Sequence, residues 1–418
     1  MAKPTVPSRV CSSVISSNPT SWQLPPAAAF PLLAGLLVAF FIAASAPSPL
    51  FVVFQQQWGF SPALLTVAFA IYAIALLASL LVAGSLSDHV GRRPVVFVAL
   101  LLQGAAMLTF LLAEGIGGII AARVVQGLAT GLVSGALTAA VVEAAPAAQK
   151  RLGAMIGSVS PLAGLAVGAL LTGVAIKLVL HPVPLIFGVL TTICIVGSVA
   201  TLFLPESVAR RPGALASLVP RISVPVHTRV EFARGVPTML AVWSIAGLYL
   251  SLVPSMLQQI FGIHDGIVNG LAIAVFFGLG AVSPTLLRNH PAVRMSAIGM
   301  SLVAVGAGLV AVSLATQTVM LFFVGTALTG FGAGAAFSAQ VQTLAPLVEP
   351  QQRAGLFAAL YAASYLAFSV PAMLAGRLIA PLGLLATVEG YAVLVLAVAA
   401  LGAGLGWSSV RRSALAVD

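Results

Sequence analysis

Residues 84–94 have the sequence GSLSDHVGRRP, a short polar stretch between two long apolar runs at residues 62–84 and 94–113. Each run has about 20 residues, the length of an α-helix that crosses a hydrocarbon core of about 30 Å. The stretch between them carries a carboxylate, Asp88, and two adjacent guanidinium groups, Arg92 and Arg93. This pattern predicts a hairpin of two membrane-spanning helices, and the rest of the chain repeats it.

The composition excludes a soluble globular enzyme. Of the 418 residues, 60% are hydrophobic and only 7% are charged. Soluble domains have about 25% charged residues, which they need to cover a surface that faces water. A membrane protein with many spans has no such need, because lipid covers most of its surface. The 40 glycines and 26 prolines agree with this class, since both residue types are more frequent in membrane helices than in soluble ones.

Twelve apolar runs of spanning length predict an all-α membrane protein with two pseudo-symmetric six-helix bundles. They lie at residues 31–55, 62–84, 94–113, 116–141, 153–175, 183–204, 236–260, 266–287, 294–314, 318–344, 355–377 and 384–407. We expect a cytoplasmic tail at residues 1–28, bundles at 29–204 and 235–409, a cytoplasmic central loop at 205–234 and a cytoplasmic tail at 410–418. The central loop is the only long connection and contains five arginines.

The basic residues predict the orientation, because cytoplasmic loops are enriched in Lys and Arg. With the N-terminus inside, 16 of the 19 basic residues fall on the cytoplasmic side. Lys177 and Arg377 fall outside, and Arg123 lies within a span. We therefore expect a multi-pass protein of the bacterial inner membrane with both termini in the cytoplasm. The net charge of +10 follows from this topology, and no nucleic-acid partner is expected.

The sequence contains an internal repeat with an offset of about 203 residues. Gly127 and Gly131 of the fourth run correspond to Gly330 and Gly334 of the tenth. The sequence QQQWG at residues 55–59 corresponds to QQIFG at residues 258–262. The two copies differ in charge, because Arg123 corresponds to Thr326. The repeat predicts a shared scaffold that carries an asymmetric site between its halves.

The loop at residues 84–93 resembles the signature G-x-x-x-D-x-x-G-R-[RK] of the major facilitator superfamily, a family of membrane transporters. Gly84, Asp88, Gly91, Arg92 and Arg93 match every specified position. The resemblance implies an inner gate in which Asp88 faces the N-terminus of the eleventh span near residue 354 in the outward-open state. The alternative is that the two arginines only hold this loop on the cytoplasmic side.

The fourth span carries an arginine at membrane depth. Arg123 costs several kcal/mol there unless it is paired or solvated, and residues 123–127 resemble the family's R-x-x-Q-G. Polar side chains follow it at helical spacing, namely Gln126, Thr130 and Ser134. We expect these residues to line the cavity, where Arg123 contacts a substrate anion or controls a coupled proton. The alternative is that Arg123 anchors neighbouring helices through hydrogen bonds.

Two other spans carry candidate functional residues. The family resemblance implies that the seventh span lines the cavity, so that Ser251, Ser255 and Gln258 become candidates, and Pro254 is expected to bend this span. The fifth span resembles the family's antiporter signature only partly, since serine replaces the glycine before its proline. It contributes Gly157, Pro161, Gly164 and Gly168. Small residues that pack helices together are the alternative explanation of that stretch.

The predicted function is secondary transport of a small molecule by alternating access, with a proton-coupled exporter as the first hypothesis. An importer or facilitator remains open, because the first, fourth and seventh spans lack a central carboxylate. A membrane enzyme is disfavoured by the absence of clustered catalytic residues, and a non-transporting receptor by the absence of added domains. The expected partners are a small-molecule substrate and the lipid bilayer, with protons as a candidate coupling ion. We expect a monomer without metal or cofactor.

Overall fold

The computed structural model describes residues 24–220 and 222–415, and these residues form helices without a β-strand. The α-helices are α1 (Pro26–Ser45), α2 (Pro47–Trp58), α3 (Pro62–Ala83), α4 (Ser87–Val90), α5 (Arg92–Leu111), α6 (Ile116–Ala144), α7 (Lys150–Leu178), α8 (Pro182–Thr201), α9 (Arg229–Ser251), α10 (Val253–Gln259), α11 (Gly266–Leu286), α12 (Ala292–Thr316), α13 (Val319–Leu344), α14 (Pro350–Leu382) and α15 (Leu384–Leu415). Most of the predicted N-terminal tail, with Lys3, Arg9 and Cys11, lies outside the described residues, as does Arg221.

The spans confirm the predicted fold class. Eleven helical segments of the described chain are long and apolar enough to cross a membrane. The pair α9 and α10 forms a twelfth span that is bent by 55°. The bend lies at Leu252, two residues before Pro254. Proline has no N–H for the helical hydrogen bond and its ring displaces the preceding turn, which explains a break at this point.

The helices form two bundles. In the first, α3 and α5 pack on α6, α8 packs on α5, and α1 packs on α7. In the second, α11 and α12 pack on α13, α15 packs on α12, and α9 packs on α14. The bundles meet where α7 contacts α11 and where α3 contacts α14. We call the side with residues 84–91 and 202–228 the terminal side, because α1 begins and α15 ends there, and the other side the opposite side.

The repeated glycines have the same role in both bundles. A β-carbon at Gly127 or Gly131 of α6 would collide with the backbone of α3. A β-carbon at Gly330 or Gly334 of α13 would collide with the backbone of α11. Small residues permit such close approach between membrane helices. The offset of about 203 residues therefore corresponds to one helix contact that is built twice.

The bundles are in close contact toward the opposite side. A β-carbon at Gly173 of α7 would lie 3.1 Å from the Cα atom of Gly270 of α11. At the ends of these helices Lys177 donates to Asp265 Oδ2 at 2.5 Å. Asp265 also accepts from the backbone of Ile267 and so caps α11. This hydrogen bond with Lys177 is the main cause that lowers the pKa of Asp265 below its ordinary value.

On the terminal side the segment 202–228 bonds to both bundles. The Arg211 N–H donates to the His89 carbonyl at 2.9 Å, and Ser85 Oγ donates to the Ser217 carbonyl at 3.2 Å. The Ser223 N–H donates to the Gly355 carbonyl of α14 at 3.2 Å. The segment thus joins the loop at residues 84–91 to the beginning of α14.

Candidate functional site

The loop at residues 84–91 forms an ion-pair cluster around Arg92. This side chain contacts Asp88 Oδ1 at 2.5 Å and Glu143 Oε1 of α6 at 3.2 Å. It also donates to Ser87 Oγ at 2.6 Å. Two carboxylates from different helices thus share one guanidinium, and they tie α5 to the end of α6 on the terminal side.

Glu206 completes this cluster, although the sequence analysis did not identify it. Its carboxylate accepts from the backbone N–H of Arg92 at 2.8 Å and of Arg93 at 3.1 Å. These donors have no partner within the helix, because they lie at the N-terminus of α5. Gly91, with a φ of 110°, has no β-carbon where the Glu206 carboxylate approaches. The position of Glu206 directly after the sixth span was the available signal.

Asp88 has its partner within its own loop. Its side chain is 56% exposed and pairs with Arg92. No hydrogen bond or ion pair joins Asp88 to α14 anywhere in residues 24–220 and 222–415. The contact implied by the family resemblance belongs to a state that is closed on the terminal side. In this structure the two bundles are instead in close contact on the opposite side. Contact between Asp88 and the eleventh span therefore stays a prediction.

Arg123 is held in an aromatic cage in the first bundle. The side chain is 1% exposed. Its guanidinium carbon lies 4.6 Å from the ring centroid of Phe51, 5.4 Å from that of Tyr72 and 5.7 Å from that of Phe110. Cation–π contacts at these distances stabilise the charge where water is absent. The cage combines α2, α3, α5 and α6, so no local sequence pattern could have predicted it.

The guanidinium of Arg123 has donors that no described residue accepts from. Nη1 donates to Gln126 Oε1 at 2.7 Å. Nε and Nη2 are buried and have no partner among the described residues. These two nitrogens point along one edge of the planar group. Two parallel donors on one edge match the two oxygens of a carboxylate or a similar anion.

The polar ridge of α6 does not form a continuous polar wall. Gln126 Nε2 donates to the Ala43 carbonyl of α1 at 3.0 Å. Thr130 Oγ1 donates to the Gln126 carbonyl at 2.8 Å, and Ser134 Oγ donates to the Thr130 carbonyl at 2.6 Å. Hydroxyl groups in membrane helices commonly bond to the carbonyl four residues earlier. Of the predicted ridge, only Gln126 contacts Arg123 through its side chain.

The hydrogen bonds of the candidates from the seventh span are local to that part of the chain. Ser251 Oγ donates to the Gly247 carbonyl of α9 at 2.7 Å. Ser255 is buried in α10, and its hydroxyl has no partner in the described chain. Gln258 Nε2 hydrogen-bonds to His264 Nδ1 at 3.0 Å near the beginning of α11. The structure thus does not bring these three residues into one cluster.

The glycines of α7 pack against two neighbouring helices. A β-carbon at Gly157 would lie 3.1 Å from Thr138 Cγ2 of α6. β-Carbons at Gly164 and Gly168 would collide with α1. Pro161 lies inside α7 between these contacts. This stretch therefore has the packing role that the sequence allowed, whether or not it also supports antiport.

A second aromatic cluster lies between the bundles, and the sequence analysis did not identify its members Trp243, Phe337 and Phe368. Trp243 of α9 contacts Tyr365 of α14 with ring centroids 4.8 Å apart and Phe337 of α13 at 5.3 Å. Phe368 of α14 contacts Phe69 of α3 at 4.7 Å. The indole Nε1 of Trp243 is buried and has no acceptor in the described residues. The cluster joins both bundles and offers a donor to a bound molecule.

Comparisons with known proteins identify one family from the sequence and a matching fold among solved structures. The family profile described as Major Facilitator Superfamily matches residues 32–318. Human organic anion transporter MFSD10 (TETRAN) has a similar structure with a TM-score of 0.64 and 17% identity, covering 91% of this chain and 100% of that chain. A POT family transporter in complex with 5-aminolevulinic acid has a TM-score of 0.72 and 13% identity, covering 89% and 94%. A bacterial homologue of the human lysosomal transporter Spinster, in an inward-facing and unoccupied conformation, has a TM-score of 0.72 and 13% identity, covering 92% and 98%.

Proposed function

Because the chain belongs to the major facilitator superfamily, we propose that it is a proton-coupled exporter of a small organic anion. Members of this family are secondary transporters of small solutes that span the membrane many times, and they are not enzymes. The finer parts of the proposal are the anionic substrate, the coupling to protons and the direction. Each of these parts has its own support and its own test.

The unpaired edge of Arg123 carries the proposal. A buried guanidinium with two free donors is costly, because neither water nor protein replaces its lost hydration. The cost is offset when an anion binds Nε and Nη2 in some step of the cycle. The aromatic cluster around Trp243 supports an apolar or aromatic remainder of the solute. The similarity to an organic anion transporter agrees with this substrate class.

Alternating access explains how an anion reaches Arg123. The residue is in the second turn of α6, which begins at Ile116 on the opposite side, about 10 Å along the helix. In the structure the aromatic cage of the first bundle encloses it. When the bundles rock and the opposite side opens, the free edge becomes accessible from there. We propose that the cluster of Asp88, Arg92 and Glu143 rearranges in the same step, with Asp88 forming the inner-gate contact to α14.

Support for export comes from α7. Its stretch from Gly157 to Gly168 resembles the antiporter signature of the family and holds α1 and α6 at close range. We propose that protons move in the direction opposite to the solute. In the described chain no carboxylate contacts Arg123, which favours a second candidate function, a facilitator that moves the anion without a coupled proton.

Transport by purified protein in liposomes distinguishes these functions. A thermal-shift screen of organic anions and neutral solutes at two pH values first selects a ligand. Uptake of radiolabelled benzenesulfonate, which does not cross a bilayer unaided, is then measured with and without a pH gradient. A flux that follows the gradient supports coupling, whereas an equal flux in both conditions identifies the facilitator.

Arg123→Gln is the decisive variant, with Arg151→Gln as its control. Arg151 is exposed at the beginning of α7, a helix that contributes no residue to the cage. We expect Arg123→Gln to lower the benzenesulfonate flux at least tenfold and Arg151→Gln to leave it unchanged. Arg123→Lys retains the charge but loses the paired donors, so its flux should be intermediate. Wild-type flux in Arg123→Gln across pH 5 to 8 would refute the anion role.

We further propose that the terminal side faces the cytoplasm of a bacterial inner membrane and that the protein acts as a monomer. The arginines of the segment 202–234 support this orientation. In a Cys11→Ser background, a cysteine at Ala214 should react with a membrane-impermeant maleimide only after cell lysis. A cysteine at Glu114, at the other end of the first bundle, should react with intact spheroplasts. The reverse result would overturn the orientation, and light scattering in detergent tests the monomer.

A further inference from the structure

A basic cavity lies on the terminal side of the second bundle, between the beginning of α9 and the end of α15. It has a volume of about 720 Å³, within the range of about 300–1,000 Å³ that is typical of small-ligand sites. We call it the arginine pocket. Its lining consists of Arg234, Gly404, Leu405, Trp407, Ser408, Arg411 and Arg412. None of these residues belongs to the transport site described above.

The charges of the arginine pocket are only partly balanced. Arg234 forms an ion pair with Glu231 in the first turns of α9. Arg412 donates to Ser409 Oγ at 3.3 Å. The guanidinium of Arg411 forms no hydrogen bond or ion pair with residues 24–220 and 222–415. Three arginines thus line the cavity, and in the described part of the chain one of them has a carboxylate partner, Glu231. The excess of positive charge attracts an anion.

The position of the pocket along α15 indicates that the anion is a lipid headgroup. The span that ends at Arg412 begins at Leu384 and has 29 residues, which corresponds to about 43 Å of helix. This length covers the hydrocarbon core and both headgroup regions of a bilayer, about 40–45 Å in total. Arg411 and Arg412 therefore lie at the level of the phosphates of one leaflet.

Trp407 gives the pocket the amphipathic wall that a lipid needs. Its indole Nε1 donates to Ser301 Oγ of α12 at 3.1 Å, so the ring is fixed, and 39% of the residue is exposed. Tryptophan is enriched at the membrane interface because its ring tolerates both apolar chains and headgroups. Gly404, one turn earlier, has open space at its β-carbon position, which leaves room beside the ring.

From these observations we infer that the arginine pocket binds the headgroup of an anionic phospholipid. The phosphodiester accepts hydrogen bonds from Arg411 and Arg412, while its acyl chains lie along Leu405 and the ring of Trp407. Basic pockets between membrane helices on the cytoplasmic side are suited to such headgroups. A lipid held between α9 and α15 would tie the bent seventh span to the last span.

Quenching of Trp407 fluorescence by brominated lipids tests this inference on the full chain. The protein is reconstituted in vesicles of dibromo-phosphatidylglycerol and unlabelled phosphatidylcholine, and then in the reverse mixture. Subtraction of the Trp407→Phe signal isolates this tryptophan. We expect phosphatidylglycerol to be preferred at Trp407. Each arginine near the surface contributes about fivefold to such a preference, so Arg411→Gln/Arg412→Gln should lower it by about 25-fold.

The matched control is Arg210→Gln/Arg211→Gln, which removes two adjacent exposed arginines on the same side. This variant should keep the preference at Trp407. Arg411→Gln alone removes a side chain that has no hydrogen-bond or ion-pair partner among the described residues. We therefore expect it to fold even if the double variant does not, and to lower the preference about fivefold. Equal quenching by both lipids in the wild type would overturn the inference. Loss of the preference in millimolar inorganic phosphate would also overturn it, because the site would then bind free phosphate.

Discussion

Gly173→Ala is expected to loosen the closure of the opposite side. The new β-carbon would lie 3.1 Å from the Cα atom of Gly270 and still closer to the carbonyl oxygen of Gly266. Both neighbours are backbone atoms of α11, which cannot rotate away as a side chain can. Relief therefore requires α7 and α11 to separate, and these helices belong to different bundles.

The magnitude follows from the cost of overpacking. An extra methyl group in a well-packed contact costs about 1–3 kcal/mol. This penalty acts on the closed arrangement and is absent once the helices have separated. A difference of about 1–3 kcal/mol changes the ratio of closed to open molecules by about 5- to 150-fold. A minor open population of 1% would thus rise to between about 5% and 60%.

Distances between two spin labels measure this ratio. Leu180 is 88% exposed after α7, and His264 is exposed before α11. Cysteines at these positions in a Cys11→Ser background accept labels outside the core, and Cys194, at 2% exposed, is shielded from the label. Gly173→Ala should add a longer-distance population. The control is Gly188→Ala in α8, where a β-carbon would meet nothing within 4 Å. A distance distribution in Gly173→Ala identical to that of the control would refute the reasoning.

Three further predictions concern charged residues. Asp88→Asn should slow transport by about 2- to 30-fold, the equivalent of a helix-dipole contact of about 0.3–2 kcal/mol, with normal insertion; unchanged flux kinetics would contradict the proposed gate. Lys177 lowers the pKa of Asp265 in the closed state. Their ion pair therefore stabilises closure at pH values above the ordinary aspartate pKa, and this stabilisation is lost as the pH falls through the lowered pKa of Asp265. The longer spin-label distance should therefore grow below about pH 4, and Lys177→Gln should abolish this change. Glu206→Ala should destabilise the fold by about 1 kcal/mol, because α5 loses its N-terminal cap. The measurement is the temperature at which a thiol-reactive dye labels the buried Cys194. An unchanged temperature would exclude a stabilising cap.

The sequence was sufficient for the fold because membrane helices depend on few and local signals. A run of about 20 apolar residues has one way to satisfy its backbone in lipid, so the spans could be counted directly. Gly127 and Gly131 could be matched with Gly330 and Gly334 because close helix contact tolerates few other residues. The boundary of the first helix was harder, since α1 begins at Pro26 within residues that were expected to form a tail.

The site was predictable only at the residue whose charge is energetically costly within a membrane span. Arg123 stood out as a charge within a span, but its partners Phe51 and Phe110 are two among 21 phenylalanines. That the polar ridge after it lines the cavity stays a prediction. A hydroxyl such as that of Thr130 can satisfy itself on its own helix, so polar spacing alone does not reveal what a helix faces. Glu206 was missed because its role depends on contact with the N-terminus of α5.

The two bundles differ at the repeat position that Arg123 occupies in the first. Thr326 corresponds to Arg123 in the repeat, and its Oγ1 lies 2.7 Å from the hydroxyl of Tyr249. The Tyr249 ring stacks on Phe276 with centroids 4.3 Å apart, so a neutral and satisfied pair replaces the caged cation. Among the described residues, the repeat position therefore carries free guanidinium donors in the first bundle and a satisfied hydroxyl in the second. Arg123→Thr should make the first bundle resemble the second and abolish anion binding without loss of the fold. Thr326→Arg should instead destabilise the protein, because Thr326 is 0% exposed and the larger side chain would overpack this site.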